Sequence, residues 1–537
     1  MSIPVVDLFA GPGGLGEGFS SLLDNNGNKN FDIKLSIEKD EHAHQTLRLR
    51  SFYRQFSRQE VPDIYYSYVK ENDLKKKKSL IKKIQTDFSE EWKRAEHEAW
   101  NYEMPFKVEK NPDSEEKKGF TSKEIKRKHE EIDCRIKESL AGERDWLLIG
   151  GPPCQAFSLV GRSRNQGIKE EDHRVFLYKE YLRIIAKHHP AAFVMENVKG
   201  LLSAKIGEQK VFKWIKKDLK NPGSVFKKLR SPKYKVFSFT KNPDKFDKQG
   251  FPVYNNDFDF LIRTENFGVP QRRHRVILLG IREDLNIEKL KTLIPSSKVI
   301  LNDVIGNLPS VRSGIGREII GKNEKGNHVY QKIKNTQSNW EKVNRSSGRK
   351  LRSLFPEFDF NTLDFPNTQG QNFVDYFLDE DSNPLYENWF YDKNLTGVLN
   401  HETRTHLKED LCRYLFSILY FKKNGDFPKM RDYPDWLLPE HKNAKGGKFA
   451  DRFRTQKPDQ AATTITSHIS KDGHYFIHYD PAQCRSLTVR EAARIQTFPD
   501  NYYFCGSRTH QYHQVGNAVP PYLAKQLAEI VFKIMTH

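Results

Sequence analysis

Short, almost uninterrupted apolar runs recur along the chain: Ile3 to Phe9, broken only by Asp7; Ile33 to Ile37, ending at Glu38; Trp146-Leu147-Leu148-Ile149, ending at Gly150; Ala192-Phe193-Val194-Met195, ending at Glu196; and Val276 to Leu279. Runs this short and this continuous predict strands buried on both faces, as in a mainly parallel sheet. The first run empties into Ala10-Gly11-Pro12-Gly13-Gly14-Leu15-Gly16 and then a helical pattern from Glu17 to Leu23. Strand, glycine turn and helix in that order form the entry unit of a nucleotide-binding α/β fold, because glycine lets the backbone turn tightly and approach a ligand without a Cβ in the way. Farther on, Leu407, Leu411, Tyr414, Leu415, Ile418 and Leu419 fall at helical spacing and read as core.

The ends of these runs carry the candidate chemistry. Glu38 closes the second strand, where its carboxylate can accept hydrogen bonds from ribose hydroxyls; NAD and S-adenosyl-L-methionine (AdoMet) both carry a ribose, so Glu38 does not separate them, and a solvated strand-end acid competes with both. After Ile149 comes Gly150-Gly151-Pro152-Pro153-Cys154-Gln155-Ala156-Phe157-Ser158, which places one thiol at the carboxyl end of a strand, the edge where open α/β sheets bind ligands. A lone cysteine is ordinarily a small buried hydrophobe. Here two prolines fix the backbone before it and polar Gln155 and Ser158 follow it, so Cys154 reads as a nucleophile.

Composition narrows the partners. The chain has 537 residues, enough for two or three domains, and 89 Lys and Arg against 70 Asp and Glu give a net charge of +19. That balance favours a polyanion, through phosphate neutralisation and counterion release, without telling DNA from RNA. Neither a cationic, apolar leader nor a long apolar span is present, so a cytoplasmic protein with no membrane partner is expected. Five cysteines, Cys134, Cys154, Cys412, Cys484 and Cys505, form no CxxC pair, so no metal and no disulfide framework is expected.

Together, Asp7-Leu8-Phe9-Ala10-Gly11-Pro12-Gly13-Gly14 and Pro153-Cys154-Gln155 resemble the first and fourth motifs of the DNA cytosine-5 methyltransferases. Asp172-His173-Arg174 with Leu177, and Glu196-Asn197-Val198, are similar to the fifth and sixth; Asn266-Phe267-Gly268-Val269-Pro270-Gln271-Arg272-Arg273-His274-Arg275-Val276 resembles the eighth. Leu487 to Gln496 resembles the ninth, and Gln514-Val515-Gly516-Asn517-Ala518-Val519-Pro520 the tenth, all in the family's order. The resemblance covers residues 1–50, 143–280 and 486–537, and the compact chain is most similar to the bacterial restriction-modification type.

The resemblance implies an AdoMet-dependent methyltransferase with a Rossmann-like α/β sheet and a separate target recognition domain. The implied division is a catalytic, AdoMet-binding domain over 1–280 with a charged insertion at 51–142, a target recognition domain over 281–485, and a carboxyl-terminal segment, 486–537, completing the catalytic domain. It implies methyl transfer to cytosine C5 in a specific duplex DNA sequence, with Cys154 adding to C6, Glu196 at N3 and the exocyclic amine, Arg275 on the base and Arg273 positioning, and with the target base flipped out of the stack. It places Phe9, Gly11, Gly13, Glu38 and Asn517 on AdoMet and gives Gln155 and Ser158 to the flipped nucleotide, where turn-stabilising roles serve them equally well. The acidic residue of the family's third motif, which meets the adenine amino group, has only Asp133 as a candidate, inside a stretch that reads as a charged helix.

The insertion carries Lys70, Lys75, Lys76, Lys77, Lys78, Lys82 and Lys83, followed by mixed-charge helical sequence around Trp92 and Trp100 and from Lys123 to Glu138. A solvated, partly helical insertion is the default expectation for it, and a basic arm across phosphates the alternative. A tRNA cytosine-5 methyltransferase, a silent DNA-binding protein on the same scaffold and a nicotinamide-dependent oxidoreductase are the rival readings. The long 281–485 span argues for duplex DNA over tRNA, and the oxidoreductase leaves Cys154 without a task. A monomer is the simplest expectation, and a cognate restriction endonuclease is left open as a partner.

Overall fold

The computed structural model describes residues 2–106, 119–153, 173–206, 208–287, 290–376, 389–439 and 450–536. Two compact units are assembled from separated stretches of chain: the first from residues 1–57, 88–298 and 518–537, the second from 58–87 and 299–517. The strands of the first unit's main sheet are β1 (Ile3–Leu8), β2 (Phe31–Glu38), β3 (Ala99–Asn101), β4 (Leu147–Gly150), β5 (Ala192–Val198), β6 (Tyr234–Ser238), β7 (Leu261–Arg263) and β8 (His274–Arg282). The helices used below are, in chain order, α1 (Gly14–Ser20), α2 (Glu41–Arg54), α3 (Asp63–Lys70), α4 (Leu74–Asp87), α5 (Ser89–Glu98), α6 (Ser122–Leu140), α7 (His173–His188), α8 (Val211–Lys220), α9 (Gln337–Leu351), α10 (Lys408–Asn424), α11 (Val489–Ile495), α12 (Arg508–Asn517) and α13 (Pro521–Met535).

In the first unit one sheet runs in the order β7-β8-β5-β4-β1-β2-β3, with β6 also pairing β8. The stretch from β5 to β3 is parallel, and β8 joins β5 antiparallel. Strand order reverses beside β1, with β2 on one side and β4 on the other, which makes the carboxyl ends of β1 and β4 the topological switch point where α/β sheets bind ligands.

The continuous apolar runs are explained by coverage on both faces. Val6 and Leu8 of β1, Leu35 and Ile37 of β2 and Leu148 of β4 join one core with Ile132 and Ile136 of α6, Tyr181 and Ile185 of α7 and Phe212 and Ile215 of α8. Alternate residues, Val5, Ile33, Leu147 and Ile149, join the other with Leu15 and Phe19 of α1 and Leu523, Leu527 and Val531 of α13. The α1–α13 contact is close enough to require glycine: a Cβ on Gly14 would stand 2.2 Å from the Val519 carbonyl oxygen, and one on Gly18 2.3 Å from the Ala524 Cβ.

Helix α1 begins earlier than the sequence pattern suggests, at Gly14, because Gly13 caps it in the left-handed conformation at φ 93°. The charged insertion does not merely interrupt the sheet. It supplies β3, which extends the edge by pairing in parallel with β2, and α6, which spans the stretch expected to be helical.

The second unit has its own core, in which Leu411, Tyr414, Leu415, Ile418 and Leu419 of α10 pack with Trp340 and Leu351 of α9, Ile315, Phe453 and Ile477. A β-ribbon of Gly314–Lys322 and His328–Lys332 flanks it. The boundaries of this unit differ from the expected 281 and 485. Residues 486–517 belong to it because their buried arginines are tied to its other segments: Arg490 Nε donates to the Leu399 carbonyl at 2.9 Å and Arg494 Nη1 to the Val304 carbonyl at 3.0 Å. Residues 58–87 belong to it as well, Tyr66 donating to Asp392 Oδ2 at 2.9 Å.

Candidate active site

The carboxyl ends of β1, β2 and β3 form one half of the site. Leaving β1, the chain turns out of the sheet through Phe9, at φ 57°, and then Gly11, also at φ 57°. The ring of Phe9 is half-buried at the edge of the core, and the position a Cβ would take on Gly11 has no heavy atom within 4 Å, so the glycine turn borders open space. Glu38 is fixed at the end of β2 by backbone donors on both oxygens, Gly11 N to Oε2 at 2.8 Å and Asp40 N to Oε1 at 2.8 Å. Burial raises its carboxyl above the usual carboxylate range, against those two hydrogen bonds. Each oxygen keeps a further lone pair for a hydroxyl donor. A stackable ring, a side-chain-free turn and an oriented acid suit an adenosyl group, so the residues fit AdoMet.

Asn101 stands opposite Glu38 in the β2–β3 register, its Nδ2 directed to the Lys39 and Glu38 carbonyls at 3.3 and 3.4 Å. This third strand end was not legible in the sequence; its only signal is the three-residue Ala99-Trp100-Asn101 between charged helical stretches. Asp133, by contrast, is held inside an ion-pair cluster between α6 and α7. Its Oδ1 accepts from Arg183 Nη1 at 2.8 Å and His188 Nε2 at 2.8 Å. Burial would raise its carboxyl, but the His188 hydrogen bond and the Arg183 charge outweigh it and bring it down to about 2. Its partners hold α6 against α7, and that corrects its candidacy for the adenine amino group.

The other half of the site is built on β4, β5 and β8. Gly151 follows β4, and a Cβ there would stand 3.0 Å from Glu196 Oε2, so the turn leading to Cys154 lies against the Glu196 carboxylate. Cys154, Gln155, Ser158 and Asp172 fall outside the described residues. Glu196 faces Ile277 in the antiparallel β5–β8 register, which puts Arg275, two residues along β8, on the same face as its diagonal neighbour. Arg275 Nε lies 2.8 Å from Glu196 Oε1, and both side chains are 14% exposed.

Arg273 and Arg275 are therefore not ordinary surface arginines, and they are not equivalent. β8 starts only at His274; Arg273 precedes it in a turn, its amide donating to the Gln271 carbonyl at 3.0 Å and to Thr264 Oγ1 at 3.3 Å, and it is 1% exposed. Burial lowers both guanidinium groups from their usual value; for Arg273 the neighbouring charge of Arg275 adds to this, and for both the Glu196 carboxylate opposes it. His274 turns to the other side and pairs with Glu265 at 2.9 Å. Asn517 ends α12 with its side chain exposed, in the second unit, while Val519, two residues on, is the backbone against which Gly14 packs.

Residues 98–533 match the family model described as C-5 cytosine-specific DNA methylase. The chain belongs to that family. It is 33% identical over 535 residues to the type II methyltransferase M.Bpa9945I of Bacillus paralicheniformis, covering 98% of each chain. It is 28% identical over 396 residues to the type II methyltransferase M.DdeI of Desulfomicrobium norvegicum, covering 71% of each. It is 26% identical over 417 residues to the DNA (cytosine-5-)-methyltransferase M.ApeKI of Aeropyrum pernix, covering 74% of this chain and 83% of that one. As a C-5 cytosine-specific DNA methylase it is a DNA (cytosine-5-)-methyltransferase of restriction-modification type, an AdoMet-dependent enzyme acting on cytosine in DNA. Among the described residues, no helix is long and apolar enough to cross a membrane, and no group of His, Cys, Asp and Glu is arranged to hold a metal ion.

Proposed function

We propose that this methylase modifies C5 of a cytosine in a specific duplex sequence, flipped out of the stack, through a covalent bond between Cys154 and C6. The observation that carries the reading is the Glu196–Arg275 pair, one partner 2.8 Å from the other, with Glu196 against the Gly151 turn that leads to Cys154. A carboxyl and a guanidinium held together in a nearly enclosed place are matched to a pyrimidine edge: an acceptor for the exocyclic amine, a proton source for N3 and a fork for O2.

Cytosine C5 is too weak a nucleophile to take a methyl group unaided. Cys154, as thiolate, adds to C6; the ring electrons move toward N3 and O2, where Glu196 supplies a proton or hydrogen bond and Arg275 a positive charge, and C5 becomes an enamine carbon. AdoMet supplies an electrophilic methyl group. After transfer, water takes the C5 proton, the C5–H electron pair becomes the C5–C6 double bond as the Cys154–C6 bond breaks, and N3 returns any proton it received to Glu196, restoring the aromatic base and the thiolate. Arg273, buried beside the base-facing strand, serves in positioning, while Gln155 and Ser158 contact the flipped nucleotide.

Phe9 stacks on the adenine, Gly11 and Gly13 let the backbone approach, Glu38 holds the ribose and Asn517 helps close the methionine end. Asn101 takes the place of the third-motif acid, since its amide oxygen accepts a hydrogen bond from the adenine amino group as a carboxylate would. The second unit binds and reads the duplex, and the enzyme acts as a monomer in the bacterial cytoplasm at the nucleoid, with a cognate restriction endonuclease where one accompanies it. Expression in a methylation-free host followed by bisulfite sequencing tests this. Protected cytosines in one recurring sequence, lost with Cys154→Ala, are expected; a well-expressed protein that protects none overturns the reading.

A further inference from the structure

Helix α4 lies in the charged insertion but belongs to the second unit. It is anchored there on one side. In the preceding α3, Lys70 Nζ donates to the Asn394 carbonyl at 2.8 Å and to Thr396 Oγ1 at 2.9 Å, and Asn72 in the connecting turn exchanges hydrogen bonds with the Phe373 backbone at 2.9 and 3.0 Å. Within α4 itself, Ile84 is fully buried, and buried Lys77 lies with its ammonium 4.2 Å from the Tyr503 ring centroid and 5.0 Å from that of Tyr68.

The opposite face presents Lys75, Lys76, Lys78, Lys82 and Lys83, all exposed. At 100° per residue these five fall within one side of the helix, away from Lys77 and Ile84. Among the described residues none of the five forms an ion pair, whereas several exposed cations of α5 and α6 do: Lys93 with Glu90 at 2.9 Å, Arg94 with Glu91 at 2.7 Å, and Arg127 with Glu131 at 3.5 Å. An ordinary solvated helix interleaves signs as α5 and α6 do. On α4, Lys75 and Lys78 are like charges at i,i+3 and Lys78 and Lys82 at i,i+4; Asp73 caps the amino terminus through the Lys75 and Lys76 amides, but the repulsion along the lysine face still opposes the helix that carries it. A polyanion along that face removes the conflict.

We propose that the lysine face of α4 grips the phosphate backbone of the duplex bound by the second unit, adding affinity without reading bases. This rests on the DNA-recognition reading above. A row of ammonium groups spaced along about two helical turns meets regularly spaced phosphates as point charges and releases their counterions.

The test compares the full-length protein, Lys75→Gln/Lys78→Gln/Lys82→Gln on α4, and a control of equal charge change on α6, Lys123→Gln/Lys126→Gln/Lys137→Gln. Binding to a duplex carrying the modified site and to an unrelated duplex is measured from low to moderate salt, with bisulfite sequencing of each expression host alongside. The α4 variant is expected to bind both duplexes more weakly by the same factor, roughly tenfold, with a salt dependence shallower by about two to three in log–log slope. Its melting temperature should be unchanged or higher, and the α6 control should match the unaltered protein. An α4 variant with unchanged affinity and slope, or an α6 control that loses as much, overturns the role of α4 while leaving DNA methylation standing. Absence of host methylation by the unaltered protein would instead remove the reading on which it rests.

Discussion

Arg275 Nε stands 2.8 Å from Glu196 Oε1, an ion pair between neighbouring antiparallel strands in which each side chain is 14% exposed. Each group orients the other, so removing one leaves the other enclosed and unmatched. Glu196→Gln, which keeps shape but loses the proton source, should lower single-turnover methylation by about 10²–10⁴-fold with little change in DNA affinity. Arg275→Lys should also lose activity, because an ammonium cannot reach the carboxylate and the base together as the planar fork does. Methylation rates and DNA binding measured in parallel check both.

At the cofactor end the expected effect is on affinity. Glu38 is oriented by the amides of Gly11 and Asp40 and directs its remaining lone pairs outward. Glu38→Ala removes a charged hydrogen-bond acceptor worth about 1.5–3 kcal/mol, roughly 10–100-fold in AdoMet binding. Calorimetric titration of the variant with AdoMet, without DNA, reads this separately from catalysis.

Gly18 controls stability rather than chemistry. A Cβ there would meet the Pro521 carbonyl oxygen at 2.5 Å and the Lys525 amide nitrogen at 2.6 Å, both backbone atoms that cannot rotate away. Gly18→Ala should therefore push α13 off α1 and cost about 1–3 kcal/mol, seen as a lower urea midpoint for the first unit. Gly27→Ala provides a contrast, since no heavy atom lies within 4 Å of its Cβ position and only the cost of φ 81° is expected.

The Asp133 cluster gives a pH-dependent contribution. Its carboxyl is held at about 2, below the ordinary 3.8, by His188 and Arg183 against the effect of burial. A depressed acid stabilises the folded state above its unfolded value and loses that contribution as pH falls through the folded one, here between about pH 4 and pH 2. Asp133→Asn should thus cost about 2 kcal/mol at neutral pH, a gap that closes below about pH 4. Urea midpoints of the two proteins from pH 7 to pH 3 check the sign, and unaltered catalysis by folded Asp133→Asn confirms that this residue does not meet the cofactor.

How much of this the sequence shows depends on where the determining contacts lie. β1, β2, β4 and β5 are legible because strands covered on both faces must be apolar throughout, and Glu38 and Glu196 stand out as the acids that end the apolar runs. β3 is not, since Ala99-Trp100-Asn101 is too short to show a period and lies between charged helices. That residues 58–87 and 486–517 join the second unit follows from Tyr66 reaching Asp392 and Arg490 reaching Leu399, partners far away in the chain that no local pattern announces. The enclosure of Arg273 is likewise invisible locally: alternation predicts one shared face for it and Arg275, but the strand begins after Arg273 and the turn anchored on Thr264 carries it inward.

Covalent catalysis by Cys154 is tested most directly by trapping. A duplex with 5-fluorocytosine at the modified position cannot complete elimination after methyl transfer, because fluorine does not leave as a cation, so the Cys154–C6 bond should persist. The expected result is a protein–DNA adduct that survives denaturation, forms only with AdoMet present and maps to the peptide containing Cys154. Methylation of the unmodified duplex without any such adduct, or an adduct mapping to another cysteine, would contradict the mechanism.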